Sequence, residues 1–209
     1  GIVRFRGKNI KHHPNDIRRV LGVVPQEIAL YEELTAYENL QFFGRVYRLK
    51  GKALHKRIGE VMELVGLRGH EKERVKTYSG GMKRRLNVAA ALLHEPELLI
   101  MDEPTVGIDP QSRNYILDMV RELNEEKRMT VLYTSHYMEE VERLCDRVYI
   151  MDHGRIIASG TKEELKAILS REETILVELD RPYPKLVEKL KQIESIVQII
   201  EVENGIKLI

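Results

Sequence analysis

Leu98-Leu99-Ile100-Met101-Asp102-Glu103 is an apolar run that ends in two acids. Consecutive large apolar residues suit a strand covered on both faces, as in a parallel sheet. Open α/β sheets bind their ligands beyond the carboxyl ends of such strands, which is where Asp102 and Glu103 fall. One carboxylate can serve Mg²⁺ directly or through water, and the other can orient or deprotonate an attacking water. Taken alone, the run also reads as a strand entering a turn, since Asp102-Glu103-Pro104 is good turn chemistry.

The surrounding pattern supports an α/β sheet with much parallel pairing. Val20–Val24 is a short apolar run stopped by Pro25, and Val131-Leu132-Tyr133 is another, ending near His136. Ile116, Met119, Val120 and Leu123 predict a helix between the second and third runs, and Val141, Leu144 and Cys145 predict the next. Asp152-His153-Gly154, between Val148–Met151 and Ile156–Ala158, is a hairpin signal. Residues 1–26 otherwise read as strands and turns, with His12 and His13, next to Pro14, in a polar loop.

Residues 31–94 read as mostly helical. Thr35 and Glu38 form a capping box, followed by Leu40, Phe43 and Tyr47 on one face. Leu54, Ile58, Val61, Met62 and Val65 keep the helical period, and Gly66 suits a C-terminal cap. Beyond Ser79-Gly80-Gly81, the residues Met82, Leu86, Ala90 and Leu93 predict an apolar stripe opposite Lys83 and Arg84. A second capping box, Thr161 and Glu164, opens a closing helix through Leu169. After a boundary at Ser170-Arg171-Glu172-Glu173, the expectation is a strand (174–179), a helix (185–193), a strand (196–203), an Asn204-Gly205 turn and a strand barely begun at Ile209.

Composition narrows the function classes. The 209 residues carry 34 Lys+Arg against 33 Asp+Glu, a net charge of +1 that disfavours an overall cationic nucleic-acid binder. Hydrophobic residues at 43% and charged residues at 32% can bury a core and keep a wet surface, which excludes global disorder. Cys145 is the only cysteine, so there is no disulfide framework and a reducing compartment is expected. The longest purely apolar run, Val88–Leu93, is far below the roughly 20 residues that span a bilayer. No signal peptide is read at the start, and a soluble, cytosolic protein is expected.

Other residues could join the two acids. Ser79-Gly80-Gly81 at a helix N-terminus exposes backbone N–H groups and a hydroxyl, an anion site that is also an ordinary N-cap. His136 follows the strand after the acids and could reach the same sheet edge, although a lone histidine is commonly structural. Gln26 ends the earlier strand and could offer its side-chain oxygen to a metal or water; it also reads as a surface loop residue. Gly107-Ile108-Asp109-Pro110 could simply close onto the next helix. The order Gln26, Ser79-Gly80-Gly81, Asp102-Glu103, Asp109, His136, with strand ends where they are needed, makes coincidence a poor account.

That set closely resembles the ATP-binding cassette family, in particular the nucleotide-binding subunit of a transporter. Val23-Val24-Pro25-Gln26 resembles its Q-loop, Tyr78–Lys83 its signature motif and Leu98–Glu103 its Walker B strand. Gly107–Asp109 resembles the D-loop and His136 the switch histidine. The resemblance covers about residues 1–165. The wording around Tyr78–Leu86 and Asp102–Pro110 looks most like the drug, antibiotic or sodium exporter branch.

The resemblance implies an α/β fold: a P-loop NTPase core, incomplete here, with a helical subdomain over about 31–94 and a small α+β C-terminal domain. The expected domains are 1–170 and 171–209, the second incomplete. It also implies that two cassettes close head-to-tail around two ATP molecules. Asp102 and Gln26 would then serve Mg²⁺, Glu103 would be the general base and His136 would touch the γ-phosphate. Ser79, Gly80 and Gly81 would meet ATP held by the opposite cassette, and Asp109 would lie near the dimer interface. The implied partners are transmembrane permease subunits and a second cassette, as homo- or heterodimer, at the inner face of the cell membrane, with no nucleic acid.

One departure stands out. A P-loop needs Gly-x-x-x-x-Gly-Lys-[Ser/Thr], whereas Gly7-Lys8-Asn9 and Gly51-Lys52-Ala53 lack both the earlier glycine and the following hydroxyl residue. The aromatic residue that stacks on adenine would precede that loop and is absent with it. The expectation is a truncated ATPase chain, with Gly1 just beyond the P-loop helix, because Glu103, His136 and the signature glycines are all intact. The alternatives are a non-catalytic module completing a partner's ATP site, or a cassette ATPase outside transport.

Overall fold

The computed structural model describes residues 1–169, 175–178, 186–190, 193, 199–202 and 205–208. The chain forms two compact units, Gly1–Cys145 and Asp146–Ile209.

The first unit is built on a parallel three-stranded sheet in the order β3-β4-β5, comprising Leu21–Val24, Leu98–Asp102 and Thr130–Thr134. Val24 pairs with Met101 and Asp102 with Thr134, so these carboxyl ends lie side by side. The central β4 buries Leu99 and Met101 completely. Strand β5, at one edge, leaves Leu132 52% exposed. Ahead of the sheet, β1 (Arg4–Phe5) and β2 (Lys8–Asn9) form a short antiparallel hairpin. His12 and His13 lie in an exposed turn, as expected, but that turn leads into a helix that the reading of residues 1–26 as strands and turns did not include, α1 (Pro14–Arg18), with Pro14 in its first turn. Proline suits that turn because its fixed φ is helical and its missing N–H would have had no partner there.

Helices α2 (Ala36–Val46), α3 (Gly51–Leu64) and α4 (Gly80–Leu92) pack on one another. The Thr35–Glu38 capping box opens α2: Glu38 N donates to Thr35 Oγ1, and Thr35 N donates to Glu38 Oε2. Leu54, Ile58, Val61, Met62 and Val65 supply the buried face of α3, and Gly66 follows at φ +63°, the left-handed geometry that a helix end demands. The expected two-faced α4 needs correction. Core surrounds it, with Arg84, Leu86, Asn87 and Val88–Leu92 all buried, so Arg84 does not sit on a solvent face. Helix α5 (Pro110–Glu125) buries Ile116, Met119, Val120 and Leu123, and α6 (Met138–Leu144) completes the unit. Cys145 caps α6 and is only partly buried.

In the second unit, β6 (Val148–Asp152) and β7 (Arg155–Gly160) are antiparallel. His153 at φ +44° and Gly154 at φ +74° form their turn, the doubly left-handed geometry that matches strand twist. Thr161 and Glu164 cap α7 (Lys162–Leu169) reciprocally. The described residues beyond include α8 (Leu186–Leu190) and the antiparallel sheet β8-β10-β9, formed by Ile175–Glu178, Gly205–Leu208 and Ile199–Val202. The final strand is thus not barely begun: β10 pairs with both neighbours. The expected boundary at 170–173 and the turn residue Asn204 lie outside the described residues.

Candidate functional site

Four of the expected residues meet at the carboxyl edge of the sheet. Gln26 follows β3, Asp102 ends β4, Glu103 comes next, and His136 follows β5. Gln26 Nε2 donates to Glu103 Oε2 at 3.3 Å, and His136 Nδ1 lies 3.5 Å from Glu103 Oε1. The two oxygens of one carboxylate are thereby addressed from the strands on either side of β4. Glu103 itself sits at φ +43°, which a residue with a β-carbon seldom adopts. Strain of this kind persists where neighbouring contacts over-determine the backbone, as they do here.

Thr134 supplies one such contact. Its hydroxyl donates to Asp102 Oδ1 at 2.7 Å and accepts the backbone N–H of Glu103 at 3.0 Å. One side chain at the end of β5 thus orients Asp102 and holds the Glu103 backbone. Sequence reasoning missed Thr134; its signal was its place as the last strand residue, two before His136.

Glu140 was missed as well. It is completely buried on α6, and its carboxylate accepts from Thr105 Oγ1 (2.6 Å), Arg113 Nε (2.8 Å), Tyr133 OH (2.9 Å) and Ser135 Oγ (2.7 Å). Burial opposes its charge, but the three hydroxyls and the Arg113 guanidinium win and hold its pKa below the ordinary carboxylate value. The cluster gathers the turn after Glu103, the helix after Asp109 and the residue before His136. The Tyr133 phenol is pushed well above its usual range by its own burial, with the nearby Glu140 charge adding to the rise.

Ser79, Gly80, Gly81 and Asp109 form a second group. Ser79 caps α4 by accepting the Met82 N–H at 3.2 Å. Asp109 caps α5 by accepting the Ser112 N–H at 2.8 Å, and that bond lowers its pKa. A β-carbon at Gly81 would fall 2.5 Å from Ser112 Cβ and 2.9 Å from Asp109 Oδ2, so Gly81 is where α4 and the start of α5 touch. At Gly80 nothing lies within 4 Å. The two glycines therefore differ: Gly81 is required by its own chain, and Gly80 opens to the surroundings.

Among the described residues no cluster of three or more His, Cys, Asp or Glu could hold a metal by itself. Two hard oxygens do suit Mg²⁺: the exposed carboxylate of Asp102 and the Gln26 amide oxygen, left over once its nitrogen is turned to Glu103. Mg²⁺ commonly takes one or two carboxylates and completes its shell with waters and substrate phosphates.

This arrangement and the sequence place the chain in a known class. The ABC transporter family model matches residues 1–106, and the chain belongs to that family. It is 60% identical over 165 residues to the linearmycin resistance ATP-binding protein LnrL of Bacillus subtilis, covering 79% of this chain and 53% of that protein. It is 41% identical to the daunorubicin/doxorubicin resistance ATP-binding protein DrrA of Streptomyces peucetius, covering 81% and 51%. To the Nod factor export ATP-binding protein I of Ralstonia nicotianae it is 42% identical, covering 79% and 51%. The chain thus spans about half the length of these relatives.

Among solved structures, it is similar to cbiO1 from Clostridium perfringens, part of the ABC transporter complex cbiONQ. The TM-score is 0.70 at 28% identity, over 78% of this chain and 67% of that one. It is also similar to a dimeric ATP-binding cassette in a post-hydrolysis state bound to ADP and Pi. There the TM-score is 0.68 at 25% identity, over 77% and 73%.

Proposed function

We propose that this chain is the ATP-hydrolysing part of an ABC exporter and that its sheet edge activates the water that attacks ATP. The observation carrying this reading is the convergence of Gln26 and His136 on the two oxygens of Glu103. Glu103 acts as general base, taking a proton from water at a carboxylate oxygen, while His136 steadies the γ-phosphate. Asp102, oriented by Thr134, and the Gln26 amide oxygen would hold Mg²⁺, which when bound neutralises phosphate charge. The protein contributes positioning and electrostatics, which dominate phosphoryl transfer.

Ser79 and Gly80, at the open end of α4, face the nucleotide of a second cassette. Their N–H groups, a hydroxyl and the helix dipole suit a phosphate. Gly81 and Asp109 join that face to α5. The dimeric state of one structural relative and the membership of another in a transporter complex support two partners, a second cassette and membrane permease subunits. Among the described residues no helix is long and apolar enough to cross a membrane; the chain would rest on the inner membrane face through those permeases. The relatives named for drug resistance and Nod factor export support an exported antibiotic or similar organic compound.

No Gly-x-x-x-x-Gly-Lys-[Ser/Thr] stretch occurs within the 209 residues, so the reading concerns the protein as it occurs in its host. The test is Mg²⁺-dependent phosphate release from ATP by that protein with its membrane partners. Hydrolysis that requires Mg²⁺ is expected; a folded assembly without it would overturn the reading.

A further inference from the structure

Arg84 is 5% exposed, and its guanidinium donates to two consecutive backbone carbonyls. Nη1 reaches Pro25 O at 2.9 Å and Nη2 reaches Gln26 O at 2.7 Å, while the buried Nε finds no hydrogen-bond partner. A buried arginine usually faces a carboxylate, because desolvating a cation is costly without one. Here the fork is spent on the main chain. Gripping adjacent carbonyls fixes the peptide plane between Pro25 and Gln26, and with it the direction in which the Gln26 side chain leaves the backbone. That side chain meets Glu103.

The neighbours of Arg84 on α4 hold the same segment. Lys83 Nζ pairs with Glu32 at 2.6 Å, and Asn87 Oδ1 accepts the Ala29 N–H at 3.3 Å. One face of α4 therefore carries the whole 25–32 loop. The helix begins at Ser79 and Gly80, about 7 Å from Arg84 at the helical rise per residue.

We propose that Arg84 is a positioning residue that sets the Gln26 amide from the same helix whose first turn receives the opposite nucleotide. Docking at Ser79 and alignment of Gln26 on Glu103 are then linked through one buried side chain. The proposal rests on the functional reading above.

Two measurements on Arg84→Met and Arg84→Lys, made in the protein as it occurs in its host, separate the two claims. The first is amide hydrogen exchange across residues 26–30 without nucleotide. Arg84→Met should raise it by about tenfold while β4 stays protected, because the loop loses its anchor. The second is ATP turnover: kcat should fall about 10- to 100-fold with KM for ATP nearly unchanged, the mark of misplaced reacting groups. Arg84→Lys, which can still reach one carbonyl, should fall between Arg84→Met and wild type in both. Wild-type exchange in Arg84→Met, or raised exchange with unchanged kcat, overturns the proposal. If Arg84→Met does not fold, Arg84→Lys decides alone: normal exchange or normal kcat overturns it. A wild-type protein that never hydrolyses ATP overturns the functional reading instead, and exchange alone then decides whether Arg84 holds the loop.

Discussion

Thr105 Oγ1 donates to Glu140 Oε1 at 2.6 Å across 35 residues of sequence, and neither side chain is exposed. Glu140 thereby ties the turn after Glu103 to α6, and Ser135 ties the residue before His136 to the same carboxylate. The groups that flank Glu103 share one buried acceptor.

Replacing Glu140 by Ala takes the shared buried acceptor away from three hydroxyls and from a guanidinium that is 27% exposed. The expected cost is about 3–5 kcal/mol, the range found when one partner of a buried ion pair is removed. Urea unfolding of wild type and variant checks this; a difference below about 1 kcal/mol would mean that the cluster does little to hold the fold.

Glu140 also makes stability depend on pH. Its folded pKa lies below the ordinary glutamate value, so its contribution is fully present above the unfolded pKa and is lost as pH falls through the folded one. The stability gap between wild type and Glu140→Gln should therefore be constant near neutrality and narrow in acid, below about pH 4.5. Denaturation curves at several pH values test it, and a gap that widens in acid would contradict the assignment.

The two glycines of the α4 start should respond differently. Gly81→Ala pushes a methyl group into Ser112 and should destabilise by about 1–3 kcal/mol. Gly80→Ala meets nothing and should leave folding within about 0.5 kcal/mol of wild type. Equal losses at both positions would show that Gly81 is not held by α5.

Thr134→Val keeps the strand but removes the hydroxyl that orients Asp102 and caps the Glu103 N–H. Outer-shell partners of metal ligands are commonly worth about 10- to 100-fold in metal affinity or activity. The Mg²⁺ concentration giving half-maximal ATP turnover should rise accordingly. An unchanged Mg²⁺ titration would free Asp102 from dependence on Thr134.

Much of this was legible in local pattern. The capping boxes at Thr35 and Thr161, the strand ending at Asp102 and the His153-Gly154 turn all follow from short-range chemistry, which a sequence displays directly. Glu140 could not be read this way. Glu139 and Glu140 are adjacent and identical, yet Glu139 is 90% exposed at its side chain and Glu140 is fully buried. Only the folded arrangement brings Thr105, Tyr133 and Ser135 to Glu140, while Arg113 reaches both acids. Arg84 escaped for a related reason: periodicity finds the most apolar stripe of α4 but does not report that core also covers the opposite side. Helix α1 was hidden because it is only five residues long and buries none of them, so it displays no apolar period within a stretch that reads as strands and turns.

The most direct test of the central claim is ATP turnover by Glu103→Gln in the protein as it occurs in its host. The amide keeps the shape and cannot accept a proton from water. Turnover should fall by about 10²- to 10⁴-fold, the usual worth of a positioned general base, with ATP binding preserved. Turnover equal to wild type, with ATP bound as well, would remove Glu103 from the base role and contradict the account of the sheet edge.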